Sequence, residues 1–214
     1  MQISAEFVTS AAGADDFPRD RFPEIALVGR SNVGKSSLIN ALVRQPLART
    51  SAAPGKTRLA NFYRVQRGLM PALYLVDLPG YGYARGGGPA ADEFNRLVAA
   101  YFSRGCGVSL DRSPRGPEGS APHEKMIGIL LLVDSRHPGL DSDLDAWAWA
   151  QSQPCPTGVI GTKVDKLTRA ERTRNARKLQ SVFEIPVLLV SAETGEGLDE
   201  LWKMIARLPS QTAA

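Results

Sequence analysis

The fold is decided by the stretch Gly29-Arg30-Ser31-Asn32-Val33-Gly34-Lys35-Ser36. It follows a short apolar run at residues 25–28 and precedes apolar residues at helical spacing, beginning with Leu38. Glycines at both ends let the backbone N–H groups of such a loop turn inward around a phosphate chain. Lys35 can then reach the β- and γ-phosphates of a nucleotide, and the Ser36 hydroxyl can coordinate Mg²⁺. The stretch therefore predicts a phosphate-binding loop between a strand and a helix.

The apolar runs elsewhere in the chain predict an α/β protein. Short, nearly all-apolar runs alternate with helical patterns, and they lie at residues 25–28, 73–77, 127–134, 158–162 and 185–190. Such runs are typical of a parallel sheet that helices cover on both faces. Residues 61–66 are more polar, which favours an exposed edge strand. We expect a doubly wound, mostly parallel sheet of six strands, with its ligand at the carboxyl ends of the strands.

Composition excludes several classes of protein. The chain has 214 residues and a net charge of +4, which fits one globular domain and permits a polyanionic partner. Its longest apolar run, residues 127–133, is shorter than the roughly 20 residues of a membrane span, and residues 1–20 lack a signal-peptide pattern. We expect a cytoplasmic protein without a membrane partner. Cys106 and Cys155 have no zinc-ligand spacing and predict reduced thiols.

Two motifs extend the predicted phosphate site. Asp77-Leu78-Pro79-Gly80 ends a strand, where Asp77 can hold Mg²⁺ through water and the Gly80 amide can approach a γ-phosphate. Between the two glycine-containing motifs lies a polar segment, Gly55-Lys56-Thr57-Arg58-Leu59, whose Thr57 hydroxyl can complete the magnesium shell. The order of the three motifs predicts a nucleotide triphosphate site with Mg²⁺.

The base is predicted by two motifs that follow later strands. In Thr162-Lys163-Val164-Asp165, the Asp165 carboxylate can accept from guanine N1–H and from the exocyclic amine, neither of which adenine offers. The stem of Lys163 can lie along the base. Ser191-Ala192-Glu193 fits a backbone contact to guanine O6. Together the five motifs predict that the nucleotide is GTP, and we expect the residues of these stretches, with Ser37 directly after the first, to contact it.

The motifs resemble those of the bacterial EngB family, also called YihA or YsxC. The resemblance includes Ser37, directly after the phosphate loop, and two further runs, Gly80-Tyr81-Gly82-Tyr83 and Asp134-Ser135-Arg136-His137-Pro138. It covers residues 22–208 and implies a Ras-like P-loop GTPase fold. It also implies action in large-ribosomal-subunit assembly, with ribosomal RNA and proteins as partners, and a role in cell division and septation. Thr162 stands where many GTPases have Asn, as it does in this family.

We expect three parts in the chain. A partly ordered N-terminal extension at residues 1–21 precedes a GTPase domain at 22–209 and a C-terminal tail at 210–214. Ten of the twenty residues at 105–124 are Gly, Pro or Ser, which predicts a flexible loop. The switch segments are placed at residues 49–60 and 80–91, and the protein is expected to be a monomer.

Two functions remain open from the sequence. The first is an enzyme that hydrolyses GTP to GDP and phosphate by in-line attack of water. The second is a binding module whose nucleotide state controls docking to a ribosomal particle, with negligible turnover. A phosphotransferase is disfavoured because the sequence offers no acceptor site beside the guanine motif.

Tyr81 predicts that intrinsic hydrolysis is slow. It stands where Ras-type proteins place a water-orienting glutamine, and a phenol lacks the paired donor and acceptor of an amide. We assign catalytic roles to Lys35, Thr57, Gly80 and Asn32. Related GTPases with an asparagine at the Asn32 position hold a potassium ion there, which can neutralise developing charge. The alternatives are that Asn32 only stabilises a turn, and that Arg85 or ribosomal RNA supplies the charge.

A basic segment predicts a second binding surface. Residues 166–178 contain six basic residues and one acidic residue. Helical spacing places Ala176, Leu179 and Phe183 towards the core, leaving a set outside that comprises Arg174, Arg177 and Lys178. A solvated helix face explains this pattern, whereas the ribosomal resemblance favours contact with an RNA backbone.

Overall fold

The computed structural model describes residues 2–20, 22–50, 59–81, 89–104 and 126–211. The elements in chain order are β1 (Ile3–Ala11), β2 (Glu24–Gly29), α1 (Lys35–Val43), β3 (Ala60–Arg67), β4 (Leu73–Asp77), α2 (Pro89–Phe102), β5 (Met126–Asp134), α3 (Asp141–Gln151), β6 (Thr157–Thr162), α4 (Arg169–Phe183), β7 (Val187–Leu189) and α5 (Leu198–Gln211). Strands and helices alternate over most of the chain, which gives an α/β fold.

One sheet runs through the molecule in the order β1-β3-β4-β2-β5-β6-β7. The five strands from β4 to β7 in this order are parallel, while β3 and β1 are antiparallel additions at one side. Every residue of the central strands β2 and β5 is buried, because helices cover both faces. The predicted doubly wound, mostly parallel α/β fold is confirmed.

The N-terminal strand corrects two expectations. Within the described ranges the sheet has seven strands and not six, because β1 pairs with β3 from Ile3–Arg67 to Ala11–Ala60. β3 is therefore not an edge strand, since β1 covers its outer side. Most residues of β1 are partly exposed or exposed, so the strand lacks the apolar run that marks the central ones. A register shift interrupts its ladder between Phe7 and Thr9.

Two helical layers enclose the sheet. Apolar side chains of α1 and α5, among them Leu38, Leu42, Trp202 and Ile205, pack on one face. Side chains of α2, α3 and α4, among them Leu97, Tyr101, Trp147, Leu179 and Phe183, pack on the other. Each fully buried side chain of this size contributes about 1.5–3 kcal/mol to folding. The two layers fix the loops that follow the carboxyl ends of the parallel strands.

Cys155, which lies between α3 and β6, is disulfide-bonded. The prediction of a reduced thiol is therefore wrong at this position. Spacing along the sequence carries no information about the distance between two cysteines in the fold, and that distance decides whether they can pair. Separately, none of the helices in the described ranges is long and apolar enough to cross a membrane.

Several sequence predictions lie outside the described residues. These are the contacts assigned to Gly55, Lys56, Thr57 and Arg58, the Gly82-Tyr83 part of the family motif, the role of Arg85, the flexible loop at residues 105–124 and the last residues of the tail.

Candidate nucleotide-binding site

The phosphate loop joins the buried end of β2 to the start of α1. A Cβ atom at Gly29 would lie 2.8 Å from both the Leu132 carbonyl oxygen and Val33 Cγ1, so β5 leaves no room for a side chain there. Gly34 has a φ of 112°, a conformation that glycine adopts without strain. The Val33 amide donates to the Arg30 carbonyl at 3.2 Å. The local sequence thus folds as a tight loop at the N-terminus of a helix, the geometry that binds anions.

Lys35 is held inside this loop. Its side chain is almost fully buried, and Nζ donates to the carbonyl oxygens of Gly29 at 3.3 Å and Arg30 at 3.4 Å. Burial lowers the pKa of Lys35, and the nearby Asp77 carboxylate opposes that shift. Among the described residues, no carboxylate lies within ion-pair distance of its ammonium group. A phosphate in the loop can therefore become its partner.

Ser36 and Asp77 meet at the end of β4. The Ser36 hydroxyl donates to Asp77 Oδ2 at 2.7 Å, while Asp77 Oδ1 is buried without a hydrogen-bond partner among the described residues. Burial raises the pKa of Asp77, against the opposing effects of Lys35 and Ser36. A hydroxyl beside a buried acceptor fits Mg²⁺, which is commonly held through few protein oxygens, waters and substrate phosphates. No cluster of three or more other metal-ligating side chains occurs in the described part of the chain.

The segment after β4 lies directly on the phosphate loop. Tyr81 forms a parallel β-bridge with Arg30, and the Ser31 amide donates to the Tyr81 carbonyl at 3.3 Å. A Cβ atom at Gly80 would lie 2.5 Å from the Ser31 nitrogen. Since real side chains do not come so close to backbone, only glycine fits at position 80. Leu78 is buried and Pro79 lines an adjoining cavity of about 360 Å³ between α2 and α3.

The Tyr81 side chain is turned towards α3. Its hydroxyl donates to Asp143 Oδ1 at 2.8 Å, and Asp143 is buried in the first turn of α3. Burial, followed by the Asp143 charge and hydrogen bond, raises the pKa of Tyr81 above its usual range. The hydroxyl is thus neutral and engaged with α3. This position agrees with the expectation that Tyr81 does not replace a water-orienting glutamine.

The predicted guanine loop is bonded to the phosphate loop. Thr162 Oγ1 lies 2.8 Å from the Val33 carbonyl and 3.1 Å from the Val133 carbonyl. Lys163 Nζ donates to the Asn32 carbonyl at 2.6 Å. Asn32 itself has a φ of 61°, a left-handed conformation that asparagine adopts more readily than most residues. The two motifs, about 130 residues apart, form one unit.

Asp134 was missed as a site residue by the sequence reasoning, although it belongs to the EngB-like run of residues 134–138. Arg136 donates to both of its carboxylate oxygens, at 2.9 and 2.7 Å, and Lys163 Nζ donates to Oδ2 at 3.0 Å. Burial alone would raise the pKa of Asp134, but these hydrogen bonds lower it to about 2. Asp134 therefore holds the Lys163 ammonium over the phosphate loop. The sequence pattern that predicts this role is an Asp that ends one buried strand, Asp134, and a Lys that follows the next strand, Lys163.

Asp165 is oriented by the loop that follows β7. The buried Ser191 hydroxyl donates to Asp165 Oδ1 at 2.7 Å, and Ser191 Oγ in turn accepts from the Glu193 and Thr194 amides at 3.2 and 3.1 Å. The Ser191 hydrogen bond is the main cause that lowers the pKa of Asp165. The carboxylate is thus ionised at neutral pH, with Oδ1 held by Ser191 and Oδ2 paired with the exposed Lys166, and carboxylate oxygens have further lone pairs that can accept from a base. Val164 is buried beneath it, and Ala192 lies beside Glu193 in the same loop.

Two predicted contacts stand apart from this unit. Ser37 is exposed on α1, and Leu59 is exposed just before β3. No hydrogen bond or ion pair brings either residue to the other motifs in the described structure. All other described members of the predicted set lie along the carboxyl ends of β2, β4, β6 and β7.

The sequence matches a known protein family over its central part. Residues 24–163 match the family described as "50S ribosome-binding GTPase". The chain is 41% identical over 209 residues to a protein of Pelotomaculum thermopropionicum named "Probable GTP-binding protein EngB", covering 95% of this chain and 94% of the relative. It is 40% identical over 204 residues to a protein of the same name from Solibacter usitatus, covering 95% of each.

Solved structures share the fold. Era, in complex with MgGDPNP and nucleotides 1506–1542 of 16S ribosomal RNA, matches with a TM-score of 0.67 at 20% identity, over 88% of this chain and 57% of that one. A crystal structure described as a probable GTP-binding protein engB matches with a TM-score of 0.57 at 20% identity, over 88% of this chain and 99% of that one.

Proposed function

Because the chain belongs to the EngB family of GTP-binding GTPases, we propose that it is a slow GTPase whose nucleotide state controls assembly of the large ribosomal subunit. In this proposal GTP is hydrolysed to GDP and phosphate, and the bound nucleotide sets the affinity for the ribosomal particle. The proposal also includes the family roles in cell division and septation. A cytoplasmic monomer that contacts ribosomal RNA and proteins is the expected working form.

The observation that supports the proposal most strongly is the link through Lys163. Its ammonium group bonds to the phosphate loop at Asn32 and to Asp134 at the end of β5. A guanine base that lies along the Lys163 stem and pairs with Asp165 therefore has its phosphates beside Lys35. The arrangement couples recognition of the base to the position of the triphosphate, as a nucleotide switch requires.

Residues around Asp77 would hold Mg²⁺ in the GTP complex. The Ser36 hydroxyl would bind the ion directly, Asp77 would bind it through water, and Thr57 would complete the set when GTP is present. When bound, the ion supplies positive charge to the β- and γ-phosphate oxygens. Lys35 adds a second positive charge there, and the Gly80 amide donates to the γ-phosphate. These groups position the phosphates for in-line attack by water.

Water is not activated by Tyr81 in this mechanism, because its hydroxyl is bonded to Asp143. Slow intrinsic turnover follows from the absence of a paired donor and acceptor at this position. A potassium ion at Asn32 would supply the missing charge between the β- and γ-phosphates. The competing sources of this charge are Arg85 and a ribosomal group. A GTP hydrolysis rate that rises when a partner is added distinguishes an assisted site from an unassisted one.

Single-turnover GTP hydrolysis, measured with and without large-subunit particles, tests the proposal. We expect measurable hydrolysis by the protein alone and a higher rate with particles. Particle binding that depends on GTP without any hydrolysis in either condition would favour the alternative, a binding module with negligible turnover. Hydrolysis that is unaffected by particles, together with no nucleotide-dependent binding to them, would contradict the ribosomal role and leave the GTPase.

A further inference from the structure

The outer face of α4 carries an unusual concentration of unpaired positive charge. Its basic side chains Arg169, Arg174, Arg177 and Lys178 are all exposed. They lie on the half of the helix opposite the buried residues Asn175, Leu179 and Phe183. The expectation for Leu179 and Phe183 is confirmed, while Ala176 is only partly buried. The sequence prediction of an outward basic set is therefore confirmed by the fold.

Neighbouring basic residues differ because they are already paired. Lys166 forms an ion pair with Asp165 at 3.1 Å, and Arg172 forms one with Glu196 at 2.7 Å. By contrast, within the described ranges no carboxylate lies within ion-pair distance of the four outer residues. The single acidic residue of α4, Glu171, is occupied by the Thr168 amide and hydroxyl at 2.9 and 2.8 Å. The face thus keeps its charge available for a partner.

The helix that bears these charges is firmly fixed. Thr168 and Glu171 form a capping box at its N-terminus, which stabilises the first turn. The buried Asn175 amide donates to the Ser135 carbonyl at 2.8 Å, and Arg172 donates to the Val164 carbonyl at 3.2 Å. Arg174 and Lys178 are about 6 Å apart along the axis, at 1.5 Å per residue, and project from the same side of the helix as Arg177. Positive charges on a rigid rod can therefore meet successive phosphates without ordering a flexible segment.

The composition of the face decides what kind of partner it fits. The remaining exposed residues of α4 are small or polar, namely Ala170, Thr173, Gln180 and Ser181. A protein interface normally has an apolar or aromatic centre, and a membrane-surface helix inserts an apolar face. The large apolar side chains of α4, Leu179 and Phe183, face the core, so neither partner has a surface to use. A nucleic-acid backbone needs only positive charge and polar groups.

We propose that the outer face of α4 binds the phosphate backbone of ribosomal RNA. The choice of RNA rests on the proposed ribosomal function, while the phosphate chemistry rests on the helix alone. Arg174, Arg177 and Lys178 contact phosphates without reading sequence. Binding at this face is accordingly insensitive to base sequence and sensitive to salt.

Three charge variants test the surface. Arg174→Glu, Arg177→Glu and Lys178→Glu are combined in one protein, and the same positions are changed to Gln in a milder one. The matched control combines Arg19→Glu, Lys203→Glu and Arg207→Glu, three exposed positions outside α4. The control has the same net charge as the first variant. GTP affinity and the unfolding temperature are measured for the wild type and the three variants, to show that the fold is intact.

The binding probes are a protein-free RNA duplex, large-subunit particles and vesicles that contain anionic lipid. We expect the α4 variants to lose about tenfold or more in RNA affinity, and the slope of log affinity against log salt to fall by about 2 to 3 for three phosphates. GTP affinity stays unchanged, and the control variant retains most of its RNA affinity and slope. Anionic vesicles are not bound.

Equal losses in the α4 and control variants would overturn the proposal, because net charge alone would then explain them. Unchanged binding in the α4 variants would return the helix to a solvated face, and binding to vesicles but not to RNA would replace the partner. If wild type binds particles and the α4 variants bind them equally well, the ribosomal role stands without this surface. If wild type binds the RNA duplex through α4 but ignores particles, the surface stands and the ribosomal role fails.

Discussion

The Tyr81 hydroxyl donates a hydrogen bond to Asp143 Oδ1 at 2.8 Å, which joins the segment after β4 to the first turn of α3. The backbone of the same residue is paired with Arg30 in the phosphate loop. Tyr81 thus connects the phosphate loop to a helix on the far side of the adjoining cavity. The position of Tyr81 is therefore set by the phosphate loop and by α3.

The first prediction concerns this hydrogen bond. Tyr81→Phe should lower the free energy of unfolding by about 1–3 kcal/mol, because the buried Asp143 loses a donor. The hydrolysis rate should change less than tenfold, which corresponds to about 1.4 kcal/mol of barrier. Denaturant unfolding and single-turnover hydrolysis measure the two effects, and Asp143→Asn, which keeps an acceptor oxygen, is the control. A large loss of rate at unchanged stability would place the hydroxyl in the chemistry after all.

Base choice gives the second prediction. Asp165→Asn should lose GTP affinity and gain affinity for xanthosine triphosphate, whose oxygen at position 2 can accept from the new amide. The asparagine oxygen can still accept from Ser191, which donates at 2.7 Å in the wild type, so the loop should keep its shape. Titration with both nucleotides measures the switch. Wild-type GTP affinity in this variant would show that Asp165 does not read the base.

The third prediction concerns potassium. GTP hydrolysis should be faster in potassium than in sodium at equal ionic strength, because an ion at Asn32 neutralises charge between the phosphates. Asn32→Ala should abolish the difference while nucleotide still binds through the backbone of the loop. The matched control is Ser37→Ala, on the exposed side of α1. Equal hydrolysis rates in both salts, with and without ribosomal particles, would exclude potassium from the mechanism. Arg85 or a partner group would then be the source of the positive charge.

Acid stability gives the fourth prediction. The pKa of Asp134 is lowered to about 2 in the folded protein, below its ordinary value in an unfolded chain. The ionised Asp134 therefore contributes about 1–2 kcal/mol to the free energy of unfolding. This contribution is fully present above about pH 4 and is lost as the pH falls through 2. The Asp134→Asn variant should be less stable than wild type at neutral pH, and its free energy of unfolding should fall less on acidification. Denaturant unfolding at a series of pH values measures this, and parallel curves for both proteins would contradict it.

Local sequence was sufficient for those parts of the site that follow single strands. Gly29 and Asp77 each end a strand that an apolar run reveals, and the doubly wound rule places such ends on one side of the sheet. The pairing of Asp134 with Lys163 could not be read in this way. It depends on β5 and β6 being neighbours in register, with Asp134 opposite Thr162, and spacing along the chain does not report that.

The N-terminal strand was missed for a related reason. β1 has no continuous apolar face, because Phe7 and Val8 are both exposed. The position of β1 comes from pairing with β3, whose partner residues lie from 64 positions away at Ile3–Arg67 to 49 positions away at Ala11–Ala60. Tertiary pairing therefore overrides local preference in this segment.

The register shift between Phe7 and Thr9 also bears on how separate copies of the protein meet. A continuous outer strand exposes a row of unpaired N–H and C=O groups on which another chain can add a strand and begin an aggregate. The shift in β1 breaks that row in the middle and twists it, and the opposite edge, β7, is only three residues long. Neither edge offers a template of useful length. The sheet is thereby protected against edge-to-edge aggregation.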